Sequence, residues 1–184
     1  MSNDVSMLLL GWGLGTIGSL LTGIVLVILE GIRDSRIEAN RQRREDARVA
    51  RNWAAEGKPS LRGFDLSRAN LSGKDLSVAD LEDADFEGAK MWGTNLSEAN
   101  LIRANFRRAK LVGVDFEGAD LRLADFTGAV MSEVNFTEAR LRRTKLRKAR
   151  KIVDCVWKGI EADETTEMSA ELREEIKRQI GVDP

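Results

Sequence analysis

The sequence predicts an all-β repeat domain of four-sided coils stacked along one axis, carried behind an apolar helical segment. Three observations predict it. Eighteen five-residue units run from Leu61 to Leu146 without an insertion, and each begins on Leu, Phe or Met. Aligned every twenty residues, these anchors sort by type: Leu61, Leu81, Leu101, Leu121 and Leu141; Leu66, Phe86, Phe106, Phe126 and Leu146; Leu71, Met91, Leu111 and Met131; Leu76, Leu96, Phe116 and Phe136. Finally, an exception to the unit pattern also repeats every twenty residues, at Lys74, Thr94, Val114 and Val134. A chain that returns the same side-chain type at i and i+20 closes one coil every four units.

Residues 1–6 read as a short tail, and 7–29 as a transmembrane helix. Met7 to Leu29 are 23 consecutive uncharged, mostly apolar residues. As a helix they reach roughly 35 Å, against a bilayer core of about 30 Å. The preceding residues supply no basic segment and no small-residue cleavage site follows the stretch, which disfavours a removed signal. Arg33, Arg36, Arg41, Arg43 and Arg44 follow the span, whereas only Asp4 is charged before it. The Lys/Arg excess marks the cytoplasmic side, so a single-pass cell-membrane protein is expected, N-terminus outside and remainder inside. Gly11, Gly15, Ser19 and Gly23 form a small-residue stripe, the pattern that lets helices approach closely in lipid, either in self-association or against a membrane partner.

Residues 30–58 are rich in Arg, Glu and Ala and are expected to form a charged, solvated helical stalk. Trp53 is expected to seal the first coil, and Gly57-Lys58-Pro59-Ser60 to end the helix.

The repeat domain occupies 59–151. Each unit reads roughly Ala-(Asp/Asn)-Leu-x-x, as in Ala69-Asn70-Leu71-Ser72-Gly73. The anchor points inward and stacks on its copy about 4.8 Å away. The Ala position also faces inward, with little room. Asp and Asn suit the corners, because they bond their own backbone and tolerate unusual dihedrals. This segment resembles the pentapeptide-repeat family, whose motif is A(D/N)LXX. The resemblance implies a right-handed quadrilateral β-helix, here of about four and a half coils, and no common activity, so fold alone names no function.

Residues 152–184 are expected to form a cap. Ile152, Val156 and Trp157 suit an end plug. A helix is expected from Ser169 as N-cap to Ile180, stopped by Gly181, with Met168, Leu172, Ile176 and Ile180 as one apolar stripe. The stripe either folds on the last coil or serves as a dimer contact, since terminal helices mediate pairing in some relatives. Cys155 belongs to this cap and has no His partner, so it is read as packing rather than as a nucleophile.

Composition narrows function. Net charge is −1, and the chain has no His, no Tyr and one Cys. An internal disulfide framework, a multi-thiolate metal site and His-based catalysis are excluded. The carboxylates recur because corners use them, so no enzyme, cofactor or small-molecule substrate is expected. Candidate partner or anion contacts are the basic last-coil residues Arg140, Arg142, Arg143, Lys145, Arg147, Lys148, Arg150 and Lys151. Candidate apolar surfaces are Trp92 with Val112 on one face, and Ile102 with Leu123 on another. The function expected is a membrane-tethered scaffold or adaptor presenting a rigid β-helix to a protein partner. The alternative is binding of anionic lipid or nucleic acid by the basic coil. The quinolone-resistance branch of the family resembles duplex DNA and engages DNA gyrase. That role fits poorly, because residues 61–150 carry sixteen Lys/Arg against fourteen Asp/Glu.

Overall fold

The computed structural model describes residues 32–53, 58 and 60–181. The span expected over 7–29, with Gly11, Gly15, Ser19 and Gly23, lies outside the described residues. Among those described, no helix is long and apolar enough to cross a membrane. The chain divides at Arg41/Gln42 into two compact units. In the first, residues 32–41 are helical and exposed. The second holds the coils and begins inside the segment read as stalk. Its helical residues turn Ala47 and Ala50 inward, and Trp53 is 3% exposed within the same apolar cluster as the anchors. The helix over residues 32–51 is designated α1.

A five-residue side persists because its backbone N–H groups find acceptors within the unit or on the adjacent coils. In the unit anchored by Leu66, the Leu66 N–H donates to Asp85 O one coil ahead at 2.7 Å, and Arg68 N–H to Glu87 O at 2.8 Å. The Ala69 N–H closes a turn on Leu66 O at 3.0 Å. The Ser67 N–H is taken by Asp65 Oδ1 at 3.0 Å. The last N–H, before the anchor, donates one coil back, as Asp85 does to Phe64 O at 2.9 Å. The carboxylate-type bond recurs at all twelve Asp and Asn positions from Asp65 to Asn135.

Those residues supply the bond at each corner but not the unusual dihedral. Positive φ falls three positions later, from Gly63 at 68° to Arg143 at 60°. This is the third position of a type II turn, which favours glycine. Val78 (φ 57°) and Leu123 (φ 64°) hold it with a Cβ in place.

One side differs, and two repeating exceptions bracket it. Strands β1 (Lys90–Trp92), β2 (Lys110–Val112), β3 (Val130–Ser132) and β4 (Arg150–Val153) pair in parallel in that order. At the corner before them stand Lys90, Lys110, Val130 and Arg150, none of which can cap the turn as Asp or Asn does. At the corner after β1, β2 and β3 stand Thr94, Val114 and Val134, all buried, where the other sides have mostly Ala. β-Branched residues favour extended backbone. Their buried polar counterparts are satisfied: the hydroxyls of Thr94, Thr144 and Thr166 donate to the carbonyls of Leu71, Leu121 and Leu141 at 3.0, 2.8 and 2.8 Å.

The core is two aromatic columns set among aliphatic ones. Phe86, Phe106 and Phe126 stack at 4.8 Å, and Phe116 stacks on Phe136 at 5.3 Å. Winding does not stop at Lys151. Bridges join Asn135 to Val156, Arg140 to Glu161 and Lys145 to Glu167, so a further coil forms with spacings of 21, 21 and 22 residues. One extra residue enters at a bulge in β4, where Lys151 takes φ 50°. Trp157 takes an anchor's place and stacks on Phe136 at 4.4 Å. Cys155 falls in register with Val134 as a small buried hydrophobe.

Both ends close with side chains standing in for the missing coil. At the first coil, Asp46 Oδ2 accepts the Asp65 N–H at 3.0 Å, where an earlier coil would have offered a carbonyl. At the other end, helix α2 (Ala170–Ile180) starts on Ser169, whose side chain accepts the Leu172 N–H, and stops on Gly181 at φ 74°. Leu172 and Ile176 are buried on the core, with Met168 and Ile180 partly so, which makes the expected stripe a cap. Gln179 Oε1 accepts the Trp157 N–H at 3.2 Å, and its Nε2 donates to Cys155 O at 3.1 Å. That one amide replaces a peptide group.

Phe106→Ala, which removes the middle ring of a stack, is expected to cost about 3–5 kcal/mol by denaturant unfolding. Val78→Gly relieves a β-branched residue of a left-handed dihedral and is expected to raise stability by about 1 kcal/mol in the same assay.

Candidate functional site

The outward residues of β1–β4 form two parallel ladders. Register places Lys90, Lys110, Val130 and Arg150 in one, and Trp92, Val112, Ser132 and Val153 in the other. Met91, Leu111 and Met131 between them point into the core. Trp92 and Val112 do share a face, and Val153 extends it; Trp92 is 57% exposed and Val153 49%. The result is a flat face pairing a cationic column with an apolar one. Lys90 and Lys110 carried a legible signal, since both replace the corner Asp or Asn twenty residues apart.

Seven of the eight basic residues of the expected last coil divide into two sets, and the eighth, Arg143, is exposed beside Asp163 without an ion pair among the described residues. The extra coil places carboxylates under part of them. Arg140 meets Glu161 at 3.6 Å, and Arg142 meets Asp163 at 3.6 Å. Lys145 lies in register between Asp125 and Glu167. The Asp163 carboxyl is held below its usual range, chiefly by the Thr165 hydroxyl, with Arg142 and Arg143 adding to it. Arg147, Lys148, Arg150 and Lys151 are exposed and form no ion pair among the described residues. Arg150 and Lys151 belong to β4, so this unpaired quartet adjoins the sheet face.

Ile102 and Leu123 lie elsewhere, in a groove of about 510 Å³ that also takes in Arg103, Arg122, Arg142 and Arg143. Its charges are largely neutralised. Arg103 bridges Asp83 at 2.6 Å and also contacts Glu82, and Arg122 holds Asp120 at 2.7 Å. Cys155 is buried, which pushes its thiol pKa up, and it donates to Val153 O at 3.5 Å. Among the described residues no three His, Cys, Asp or Glu side chains converge.

The acidic partners set an acid limit on stability. Burial pushes the Asp120 carboxyl up, yet hydrogen bonds from Arg122 outweigh it and the pKa is lowered. At Asp125 burial is likewise overcome, by the Thr127 hydroxyl and N–H, then by Lys145 and Arg107. Their folded pKa values therefore lie below the unfolded value of about 3.9, so the unfolded chain binds more protons in acid. This stabilisation is complete above about pH 4 and is lost as pH falls through the folded values. Thermal midpoints should be flat from neutral pH to about pH 5 and drop below about pH 4. Asp120→Asn should reduce that drop.

Comparison with known proteins gives the following. The model named Pentapeptide repeats matches residues 60–91, 79–118 and 109–148, in 8 copies. A comparison with curated proteins gives no match. Among solved structures, a pentapeptide repeat protein from the cyanobacterium Cyanothece 51142 is 28% identical, covering 55% of this chain and 65% of its own, with TM-score 0.32. This chain thus spans less than two thirds of that relative. A pentapeptide repeat protein from the Arabidopsis thaliana thylakoid lumen is 29% identical over 64% of this chain and 77% of its own, with TM-score 0.30. QnrB1, a plasmid-mediated fluoroquinolone resistance protein, is 14% identical over 68% and 84%, with TM-score 0.26.

Proposed function

Residues 60–148 belong to the pentapeptide-repeat family, and on that premise we propose that the protein is a non-enzymatic, membrane-tethered scaffold whose β-helix presents one face to an acidic protein partner. The apolar stretch 7–29 is the tether, and the Arg-rich flank after it puts the coils on the cytoplasmic side. Self-association through Gly11, Gly15, Ser19 and Gly23 would multiply the faces presented.

The observation that carries this reading is the outer face of β1–β4. Extended backbone gives a flat surface, Trp92 supplies a large exposed anchor, and the flanking cations form no ion pair among the described residues. Tryptophan and arginine dominate interface energetics, and unpaired cations steer acidic partners toward them. The groove at Ile102 and Leu123 is a weaker candidate, because Arg103, Arg122 and Arg142, three of its four arginines, already hold carboxylates. The quartet Arg147, Lys148, Arg150 and Lys151 also supports the second reading, direct binding of anionic lipid or nucleic acid. Near an anionic leaflet each such charge is worth about 1 kcal/mol. A gyrase-directed DNA mimic lacks the acidic surface it would need.

Affinity capture from detergent-solubilised membranes separates these readings. A variant combining Trp92→Ala with Arg147→Glu, Lys148→Glu, Arg150→Glu and Lys151→Glu should lose the partner that the native chain retains. Ile102→Ser with Leu123→Ser should keep it. Retention by the first variant would refute the sheet-face reading. Capture of nucleic acid or anionic vesicles, with affinity falling steeply as salt rises, would favour the second reading.

A further inference from the structure

The opposite end of the coils holds another set of cations. Between α1 and the first coil lies a groove of about 230 Å³, walled by Arg43, Arg44, Arg51 and Arg68 and floored by Ala47 and Ala69. Arg44 and Arg51 stand seven residues apart on the helix, and Arg68 comes from the turn after Leu66. Arg43 is paired, meeting Asp65 at 3.3 Å. Arg44, Arg51 and Arg68 form no ion pair among the described residues. The neighbouring acids are committed elsewhere. Asp46 is 5% exposed and accepts from the Asp65 N–H and from Gln42 Nε2 at 2.7 Å. Glu45 pairs with Arg48 at 2.7 Å. Arg44, Arg51 and Arg68 thus bring three guanidinium groups to one small groove, and their mutual repulsion favours an anion from outside.

We propose that this groove binds a phosphate group. Guanidinium presents planar paired donors that match phosphate oxygens in two-pronged fashion. A carboxylate fills one such fork, whereas phosphate offers oxygens to several at once. The floor of two alanines leaves room for the group to approach without displacing a larger side chain. The phosphate can come from a lipid headgroup or from a soluble phosphate, and the site does not depend on the sheet face or on its protein partner.

The test uses the full chain in non-ionic detergent and phosphate-free buffer. One arm titrates inorganic phosphate and pyrophosphate and reads the thermal midpoint, which a ligand of the folded state raises. The other arm measures co-flotation with phosphatidylcholine vesicles with and without phosphatidic acid. Each arm is run on the native chain, on Arg44→Gln/Arg51→Gln/Arg68→Gln, and on Arg44→Lys/Arg51→Lys/Arg68→Lys, which keeps charge but loses the fork. The control is Arg108→Gln/Lys158→Gln, two exposed cations outside both the groove and the sheet face, and circular dichroism confirms folding of each. The expected result is at least about tenfold weaker binding for the Gln variant, an intermediate loss for the Lys variant and none for the control. A response in the vesicle arm alone assigns the phosphate to lipid, and a response to soluble phosphate assigns it to a small anion. No response in either arm, or equal losses in the Gln variant and the control, overturns the proposal.

Discussion

Everything in the coiled unit depends on handing backbone hydrogen bonds from one coil to the next. Each interior unit places its N–H groups forward, backward or onto a local acceptor, so no coil is complete without neighbours on both sides. That requirement holds the regular coils at twenty residues each, since an uncompensated slip of one residue would misplace every donor and every anchor together. One extra residue of the last coil is taken up in the bulge of β4. The same requirement explains why Phe86, Phe106 and Phe126 stack at a repeat of 4.8 Å, which is the strand spacing itself. It also explains the ends. Asp46 and Gln179 come from outside the repeat, and each offers the group that an absent coil would have offered.

The coils were legible in the sequence because their information is periodic. Anchor type, the inward Ala and the capping Asp or Asn each recur at fixed intervals, and each is buried or bonded as its chemistry demands. The helix cap from Ser169 to Gly181 was legible for the same reason, a local pattern with local physics. Where the period broke, reading failed. The coil beyond Lys151 carries inserted residues, and Trp157 and Cys155 replace the usual side chains, so only the bridges to Val156, Glu161 and Glu167 reveal it. The positive φ at each corner falls three positions after the Asp or Asn expected to tolerate it. Arg, Glu, Val and Leu hold that position alongside Gly, so residue type does not mark it.

The charge pattern was half legible. A basic stretch from Arg140 to Lys151 is plain in one dimension, but its pairing is not. The carboxylates of Glu161 and Asp163 reach Arg140 and Arg142 only because the extra coil sets them one spacing away. Folding thus sorts one run of cations into a spent set and an available set. The same sorting at the first coil leaves three arginines facing a groove whose acids are occupied.

The end plugs have a consequence for how such a protein can change. Because Asp46 and Gln179 close the stack without reading how many coils lie between them, length is decoupled from termination. Insertion or loss of twenty residues in the middle would leave both plugs seated and every interior bond intact. The distance between the arginine groove and the free cations near Lys151 would then change in discrete steps of one strand spacing, about 4.8 Å. The molecule is graduated like a ruler, and selection can adjust its span one mark at a time.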